Sequence, residues 1–209
     1  MIQDMITYYS VNKAYVLQQI LRHFLMSIYG VSFAILVAVP LGFYIARKDK
    51  SGKWVMRFAN VIQTVPALAL LSLLIIVVGL GPNTVVMAVF LYSILPILKN
   101  TVTAVLQVDE NVLDVAKGMG MTPKQILFKV ELPLSISMIL GGIRNALVVA
   151  IGVSAVGTFI GAGGLGDIIS RGLNVSNGSS IVWAGALPTA LMALFVDVIL
   201  SQVEKKLGR

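Results

Sequence analysis

The sequence contains no cysteine and only one histidine, and just 12% of its 209 residues are charged. The absence of cysteine excludes disulfides, thiolate chemistry and metal sites with cysteine ligands. Soluble globular domains carry about 25% charged residues, so a chain this poor in charge cannot cover a water-facing surface with polar groups. We therefore expect lipid to be the solvent of its long uncharged runs.

Catalytic motifs are also lacking. A membrane-embedded enzyme needs His, Asp or Glu clustered at the ends of its spans, whereas this sequence has one histidine and scattered acids. It has no G-x-x-x-x-G-K-[ST] phosphate loop. We expect no catalytic residue, no metal and no cofactor, and any ATP must be hydrolysed by a partner.

The net charge of +7 does not indicate a nucleic-acid partner. The basic residues cluster beside hydrophobic runs, where such residues set membrane topology rather than bind phosphates. Near the start, Asp4 lies where a cleavable signal peptide would have its basic region. We expect the first span to serve as its own targeting signal to the membrane.

What the sequence does have is apolar runs long enough to cross a bilayer core of about 30 Å at about 1.5 Å per residue. Gly79, Gly81, Pro82 and Asn83 predict a tight turn that divides one long run in two. The pattern predicts an all-α membrane protein with five transmembrane helices, at about 24–46, 61–80, 84–98, 145–162 and 181–200.

The basic residues orient these spans. The loop after the first span holds five cations against the single acid Asp49, and the positive-inside rule places that loop in the cytoplasm: Arg47, Lys48, Lys50, Lys53 and Arg57. The N-terminus is then outside, with residues 1–23 as an external interfacial segment before a transmembrane domain at 24–209. Lys205, Lys206 and Arg209 hold the C-terminus inside.

A mixed-charge cytoplasmic loop, residues 99–133, predicts a helix, a turn and a second helix. Asp109 can cap the first helix, and Gly118 and Gly120 break it. Thr122 can cap the second helix in a Thr-x-x-Gln capping box with Pro123 at its first position, and Leu132 and Pro133 end it. Such a rigid pair can pass a displacement from a cytoplasmic partner to the spans.

This loop resembles the cytoplasmic signature of the permease family of binding-protein-dependent ABC importers, which reads Glu-Ala-Ala, three residues, Gly, nine residues, Ile, one residue, Leu-Pro. The matching residues are Asp114, Val115, Ala116, Gly120, Val130, Leu132 and Pro133. Asp for Glu, Val for Ala and Val for Ile are the departures. The resemblance implies a type I ABC importer fold like that of methionine permeases, in a bacterial cell membrane.

The same resemblance implies the partners. Two cytoplasmic ATP-binding subunits would bind the coupling residues, which are Asp114, Val115, Ala116, Gly118, Gly120, Leu132 and Pro133. A second permease subunit, identical or closely related, and an extracytoplasmic substrate-binding protein complete the complex. A channel or ion-driven carrier is the alternative, but its hallmarks of charges or inverted repeats within the spans are not clear here.

Three further stretches, 90–100, 117–122 and 156–167, look like those of permeases that import glycine betaine, carnitine, choline and related quaternary amines. Methionine permeases share the Gly-Ala-Gly-Gly-Leu-Gly-Asp element, so methionine or another small solute stays an alternative substrate. Aromatic cages bind quaternary amines, but Trp54 and Trp183 lie where interfacial anchors lie. In the family the cage belongs to the binding protein.

The glycines of 156–167 also match G-x-G-x-x-G through Gly161, Gly163 and Gly166. The dinucleotide-binding interpretation requires a preceding strand in a soluble βαβ unit, which we do not expect here. The glycines instead predict close backbone packing at a turn, followed by a short helix in which Asp167 and Arg171 pair at i, i+4.

A few polar residues within or beside the spans have two interpretations each. Arg144 either faces a pore or a partner deep in the fourth span, or snorkels at the cytoplasmic face, which we favour. Asn145, Ser154 and Thr158 either line a translocation path or bond neighbouring helices. The lone His23 is a boundary residue rather than a metal ligand or proton relay.

Overall fold

The computed structural model describes residues 2–207, without the side chains of residues 49–51. Of the basic loop predicted after the first span, Arg47, Lys48, Lys53 and Arg57 are described with their side chains. The side chains of Asp49 and Lys50, and all of Arg209, lie outside the described residues. Residues 2–207 contain no strand. Their helices are α1 (Ile2–Val11), α2 (Lys13–Ile45), α3 (Asp49–Thr64), α4 (Ala67–Val78), α5 (Pro82–Leu106), α6 (Glu110–Gly118), α7 (Pro123–Ile126), α8 (Leu132–Val156), α9 (Leu165–Leu173) and α10 (Ser179–Leu207).

Four continuous helical stretches are long and apolar enough to cross a membrane: α2, α5, Pro123–Ile160 and α10. A fifth is reached if α3 and α4 together count as one broken span, since they bend by 103° across a short break. The all-helical prediction is confirmed, and the described chain offers four to five spans.

The predicted second span, 61–80, is wrong as a single helix. Val65 has extended backbone angles (φ −69°, ψ 128°) because Pro66 disfavours the helical conformation of the residue before it. The chain therefore turns between α3 and α4, and the hydroxyl of Tyr92 donates a hydrogen bond to the Val65 carbonyl oxygen that the break leaves free. The next predicted turn is confirmed, with positive φ at Gly79 and Gly81.

The first and third spans are longer than the uncharged runs that predict them. Helix α2 begins at Lys13 and continues for 33 residues, so Phe24 is not a helix boundary. Helix α5 continues past Lys99 to Leu106. Charged residues do not end either helix because a helix needs only its own backbone hydrogen bonds, whatever solvent surrounds its ends. The external location of residues 1–23 stays a prediction.

The core lies where α2, α5 and α8 pack together. Small residues let these helices approach closely: Ala34, Ala38, Ala88, Ala146 and Ala150 are fully buried. A Cβ on Gly142 would lie 2.8 Å from the carbonyl oxygen of Pro96, so the contact between α5 and α8 leaves no room for a side chain there. This close packing fixes the bundle on which the functional segments are mounted.

Candidate functional site

The segment predicted to be cytoplasmic and to couple to a partner forms the helix pair that its capping residues predict. Asp109 caps α6, and its side-chain oxygen accepts a hydrogen bond from the amide of Asn111 at 2.9 Å. Thr122 and Gln125 form a complete capping box at the start of α7, with Pro123 in the first turn. Both predicted starts are confirmed.

Helix α6 ends in a Schellman motif at Gly120. The amide of Gly120 donates to the carbonyl oxygen of Lys117 at 2.9 Å, and the amide of Met121 donates to that of Ala116 at 3.2 Å. Gly120 has φ +77°, where an L side chain is strained. Gly118, by contrast, has no positive φ, and a Cβ there would meet nothing within 4 Å. Only Gly120 is needed for the turn itself.

The sides of α6 differ in what they contact. Leu113 and Ala116 are buried against Ile126 of α7 and Val108, a small core that holds the two helices together. A second side of α6 exposes an apolar stripe of Val112, Val115 and Met119, of which Val115 is 64% exposed. An ion pair of Asp114 and Lys117 at 2.8 Å lies on a third side, away from the stripe. The stripe is an exposed apolar surface, which suits docking to a protein partner.

The second helix does not end at Leu132 and Pro133, so that prediction is wrong. Residues Leu127–Glu131 form a π-helical turn in which the amide of Leu132 donates to the carbonyl oxygen of Leu127. Pro133 has no N–H and its ring would clash with the carbonyl four residues earlier in an ordinary α-turn. The wider turn accommodates the proline, and the helix continues without a break from Pro123 to Ile160. We call Pro123–Ile160 the rod.

At the far end of the rod, a glycine turn (residues 161–164) leads into α9. Gly161, Gly163 and Gly164 all have positive φ. A Cβ on Gly166 would overlap the carbonyl oxygen of Ala155, so α9 packs directly on the backbone of the rod. The close-packing interpretation is supported, and no strand precedes these glycines within residues 2–207, as a dinucleotide site requires.

Two side chains of α2 cap the start of α9. The amide of Gly164 donates to Oε1 of Gln19 at 2.6 Å, and the amide of Leu165 donates to Nδ1 of His23 at 3.2 Å. His23 Nε2 lies 2.9 Å from the carbonyl oxygen of Ile151, to which it donates when Nδ1 accepts. His23 is fully buried. Both ring nitrogens are used in holding α9 and the rod to α2, and no metal-binding cluster occurs among the described residues.

The predicted ion pair on α9 is present. Nε of Arg171 lies 2.9 Å from Oδ2 of Asp167. The hydroxyl of Tyr15 donates to the same oxygen, and the Arg171 guanidinium lies 4.6 Å from the centre of the Tyr15 ring. Helix α9 is thereby fixed to α2 at a third point.

Arg144 is paired. Its Nε lies 3.5 Å from Oδ1 of Asp197, and its Nη1 lies 3.2 Å from Oε2 of Glu204, both on α10. These are charge contacts without hydrogen-bond geometry. One cation between two carboxylates links the rod to the last helix, and the depth of Arg144 in a bilayer stays a prediction.

The three predicted path residues do not share one face. Asn145 is exposed, whereas Ser154 is buried and its hydroxyl lies 3.0 Å from that of Ser27 on α2. Nine residues apart on a helix of 3.6 residues per turn, the two side chains point in opposite directions. Thr158 is half-buried. In this conformation Ser154 bonds a neighbouring helix, the alternative that the sequence left open.

Comparison with known proteins identifies the family. A model described as "Binding-protein-dependent transport system inner membrane component" matches residues 38–209. The chain belongs to this family.

The relatives are similar over nearly their whole length. The carnitine transport permease protein OpuCD of Listeria monocytogenes serotype 1/2a (strain 10403S) is 57% identical over 207 residues, which cover 99% of this chain and 93% of that protein. The glycine betaine/carnitine/choline transport system permease protein OpuCD of Bacillus subtilis (strain 168) is 54% identical over 207 residues, covering 99% and 90%.

The fold has a solved counterpart. A chain of the MetNI methionine ABC transporter, crystallised in inward-facing conformations, superposes with a TM-score of 0.83 at 20% identity, covering 93% of this chain and 96% of that one. This likeness shows the fold, and the type I importer fold predicted from the resemblance is confirmed. As an inner membrane component of a binding-protein-dependent system, the chain is a transporter subunit and not an enzyme. Its family implies an ATPase and a substrate-binding protein as partners.

Sequence reasoning missed four residues that organise these segments: Gln19, Tyr15, Arg47 and Glu131. Each acts through a partner more than 80 residues away along the chain. Neither periodicity nor capping patterns report such distant pairs. The one available signal was that Gln19, His23 and Ser27 recur every four residues, as a buried polar stripe on one helix face does.

Proposed function

We propose that this chain is the permease subunit of an ATP-driven importer of quaternary amine osmoprotectants: carnitine, glycine betaine and choline. The observation that carries the substrate class is the similarity, over 99% of the chain, to two permeases named for these solutes. The chain forms the passage, and a separate ATPase supplies the energy. Recognition of the ammonium group takes place in the binding protein, which hands the solute to the permease.

Coupling to the ATPase is assigned to α6 and the turn after it. Val115, with Asp114 beside it, lies on the exposed side of α6, while Ala116 lies on the buried side and anchors the helix. Gly118 leaves space for close approach of a partner, and Gly120 sets the direction of the chain into α7. Leu132 and Pro133 join the π-helical turn to the rod. Movement of α6 is thereby passed to a helix that crosses the membrane.

The proposed complex contains two permeases, identical or closely related, and two ATPases. Each permease has five spans, with α3 and α4 together as the second, the N-terminus outside and the C-terminus inside. Residues 1–23 are external, residues 24–209 form the permease domain, and residues 99–133 are cytoplasmic. Basic side chains between the end of α2 and the first half of α3, and at the end of α10, support this orientation: Arg47, Lys48, Lys53, Arg57, Lys205 and Lys206.

The passage is assigned to two polar groups on the rod, the exposed Asn145 and the half-buried Thr158. Ser154 joins this path only if the contact with Ser27 opens in another conformation.

Uptake measurements test the substrate class. Cells that lack their own osmoprotectant importers receive the permease with its ATPase and binding protein, and uptake of labelled carnitine, glycine betaine, choline and methionine is compared. We expect uptake of at least one quaternary amine and none of methionine. A matched control carries Val115→Asp in the permease. Uptake of methionine alone would reject the substrate class and retain the importer.

Topology can be tested cleanly because the chain has no cysteine of its own. Single cysteines are placed at Val115 and at Ile2, both exposed, and labelled in intact cells with a membrane-impermeant thiol reagent. We expect labelling at position 2 and protection at position 115 until the membrane is permeabilised. The reverse pattern would rule out the proposed orientation and, with it, coupling through α6.

A further inference from the structure

One ion pair joins the coupling segment to a helix other than the rod. Arg47, two residues beyond the end of α2, donates through Nη2 to Oε1 of Glu131, the last residue of the π-helical turn. The two residues lie 84 positions apart in the sequence. Their contact ties the C-terminal end of α2 to the point at which α7 becomes the rod.

The pair is asymmetric in its burial. The side chain of Glu131 is only 6% exposed, whereas that of Arg47 is 55% exposed. No described cation other than Arg47 forms an ion pair with Glu131. A buried carboxylate without its cation is strongly unfavourable, so the position of Glu131 depends on Arg47 and not the reverse.

Among the described residues, Arg47 forms no hydrogen bond or ion pair with a residue of α6. A cleft of about 600 Å³ lies between them, lined by Arg47 and Glu131 on one side and by Leu113, Asp114 and Lys117 of α6 on the other. Helix α6 packs on the rest of the molecule through Leu113 and Ala116, which are buried against Ile126 of α7 and Val108 just after α5. Through Ile126, a displacement of α6 reaches the π-helical turn, and through Glu131 it reaches Arg47.

The other end of α2 holds the glycine turn and α9. Gln19 and His23 accept hydrogen bonds from the amides of Gly164 and Leu165, as described above. Helix α2 runs without a break from Lys13 to Ile45, with Pro40 inside it, so it physically connects the two ends. Helix α2 is therefore linked to Glu131 through Arg47 at one end and bound to α9 at the other.

We propose that the Arg47–Glu131 pair makes α2 a second transmission helix beside the rod, and that Glu131 is a positioning residue for transport. ATPase movement at α6 shifts the π-helical turn; the rod carries that shift directly, and Glu131 carries it through Arg47 into α2. Helix α2 then moves α9 relative to the passage. This inference rests on the proposed docking of the ATPase at α6.

Glu131→Gln is the informative variant. It keeps the size of the side chain, removes its charge, and leaves only the exposed Arg47 without a partner. Arg47→Gln, by contrast, leaves a buried carboxylate unpaired and risks misfolding. Arg47→Lys keeps the charge and serves as the conservative variant. Glu204→Gln is the matched control, because it neutralises a glutamate that pairs with an arginine away from the coupling segment.

The experiment uses the complete importer, with ATPase and binding protein, reconstituted in vesicles, and measures carnitine uptake and ATP hydrolysis together. With Glu131→Gln we expect normal assembly and ATP hydrolysis within about twofold of wild type, while uptake per ATP falls about fivefold or more, the lower range of coupling between distant sites. Arg47→Lys and Glu204→Gln should keep uptake per ATP within about twofold of wild type.

A single-cysteine probe gives an independent measurement. Leu17 is exposed near the N-terminal end of α2, and Val149 is exposed on the rod. In wild type the thiol reactivity of both Leu17→Cys and Val149→Cys should change on ATP addition. With Glu131→Gln only the change at position 149 should remain.

Three results with Glu131→Gln would overturn the inference. The first is uptake per ATP equal to that of wild type. The second is an ATP-dependent change in thiol reactivity at position 17 equal to that of wild type, and the third is a loss of ATPase binding that accompanies the loss of uptake. The proposed function fails in a different way. In that case the wild-type permease itself would bind no ATPase, and the inference would fall with it.

Discussion

The amide of Met121 donates a hydrogen bond to the carbonyl oxygen of Ala116 at 3.2 Å, closing the end of α6 over Gly120. This bond forms only when Gly120 adopts its left-handed conformation, with φ +77°. Gly118, two residues earlier, has ordinary helical geometry and open space around it. The two glycines of the segment thus have separable roles, one in the fold of the chain and one at its surface.

Alanine substitution separates these roles. Gly120→Ala forces a Cβ into the left-handed region, at a cost of about 1 kcal/mol, so amide exchange in α6 should accelerate about fivefold in the free permease. Gly118→Ala should slow exchange slightly, since alanine favours a helix interior by about 0.5–1 kcal/mol. Hydrogen exchange with mass spectrometry measures both. Equal exchange in the two variants would contradict the assignment.

Local chemistry was enough to predict where both short helices begin and where the first of them ends. Asp109, Thr122, Gln125 and Gly120 each satisfy backbone groups two or three residues away from themselves. These interactions are encoded by residue type and spacing, which a single sequence shows in full. The turn at Gly79 and Gly81 was predicted for the same reason.

The sequence was less informative where distant residues or competing conformational preferences determine the structure. Hydropathy indicated one span across Pro66, but the restriction that proline places on Val65 breaks the helix there. Pro133 suggested a helix end, but a π-helical turn accommodates the proline and the helix continues. The burial of Glu131 and the capping of α9 by Gln19 depend on the packed bundle, so no local pattern could show them.

The exposed stripe on α6 predicts where a charge disrupts ATPase binding. Val115→Asp places a carboxylate in the proposed docking face, and we expect the ATPase to bind about 30-fold more weakly, which corresponds to about 2 kcal/mol for a residue central to an interface. Binding of purified ATPase to the permease in nanodiscs gives the affinity.

Val175→Asp is the matched control, because it makes the same change at another exposed valine, between α9 and α10. It should alter ATPase affinity by less than about twofold. If the two variants weaken binding equally, the loss reflects general damage, and α6 is not the docking helix.

The contact between α9 and the rod predicts a severe effect of one methyl group. Gly166→Ala would press a Cβ onto the carbonyl oxygen of Ala155, and the packed backbone can yield only by moving α9. We expect the folded state to lose about 3 kcal/mol, the upper range for overpacking. Thermal unfolding in detergent should show a clearly lowered midpoint or a loss of folded protein.

Gly152→Ala provides the comparison, because a Cβ at Gly152 on the same rod meets nothing within 4 Å. It should leave the midpoint unchanged or raise it slightly, as alanine favours helices over glycine. A Gly166→Ala variant as stable as Gly152→Ala would show that α9 is not packed on Ala155.

The Arg144 cluster predicts unequal effects of removing its members. Arg144 contacts two carboxylates, whereas Asp197 and Glu204 contact only Arg144 among the cations of the described residues. Arg144→Gln leaves both acids without a partner, and Glu204→Gln leaves Arg144 still beside Asp197. We expect losses of about 2 kcal/mol and less than about 1 kcal/mol in the free energy of unfolding, respectively, because half-exposed pairs are worth less than buried ones.

The double variant decides whether charge pairing is the cause. Arg144→Gln leaves the carboxylates of Asp197 and Glu204 unpaired. Adding Glu204→Gln neutralises one of them, so the double variant should be no less stable than Arg144→Gln alone. Reversible denaturant titration of the purified permease gives the three free energies, and the coupling between the positions should be about 1 kcal/mol. Simple additivity would mean that the side chains stabilise the rod and α10 through packing alone.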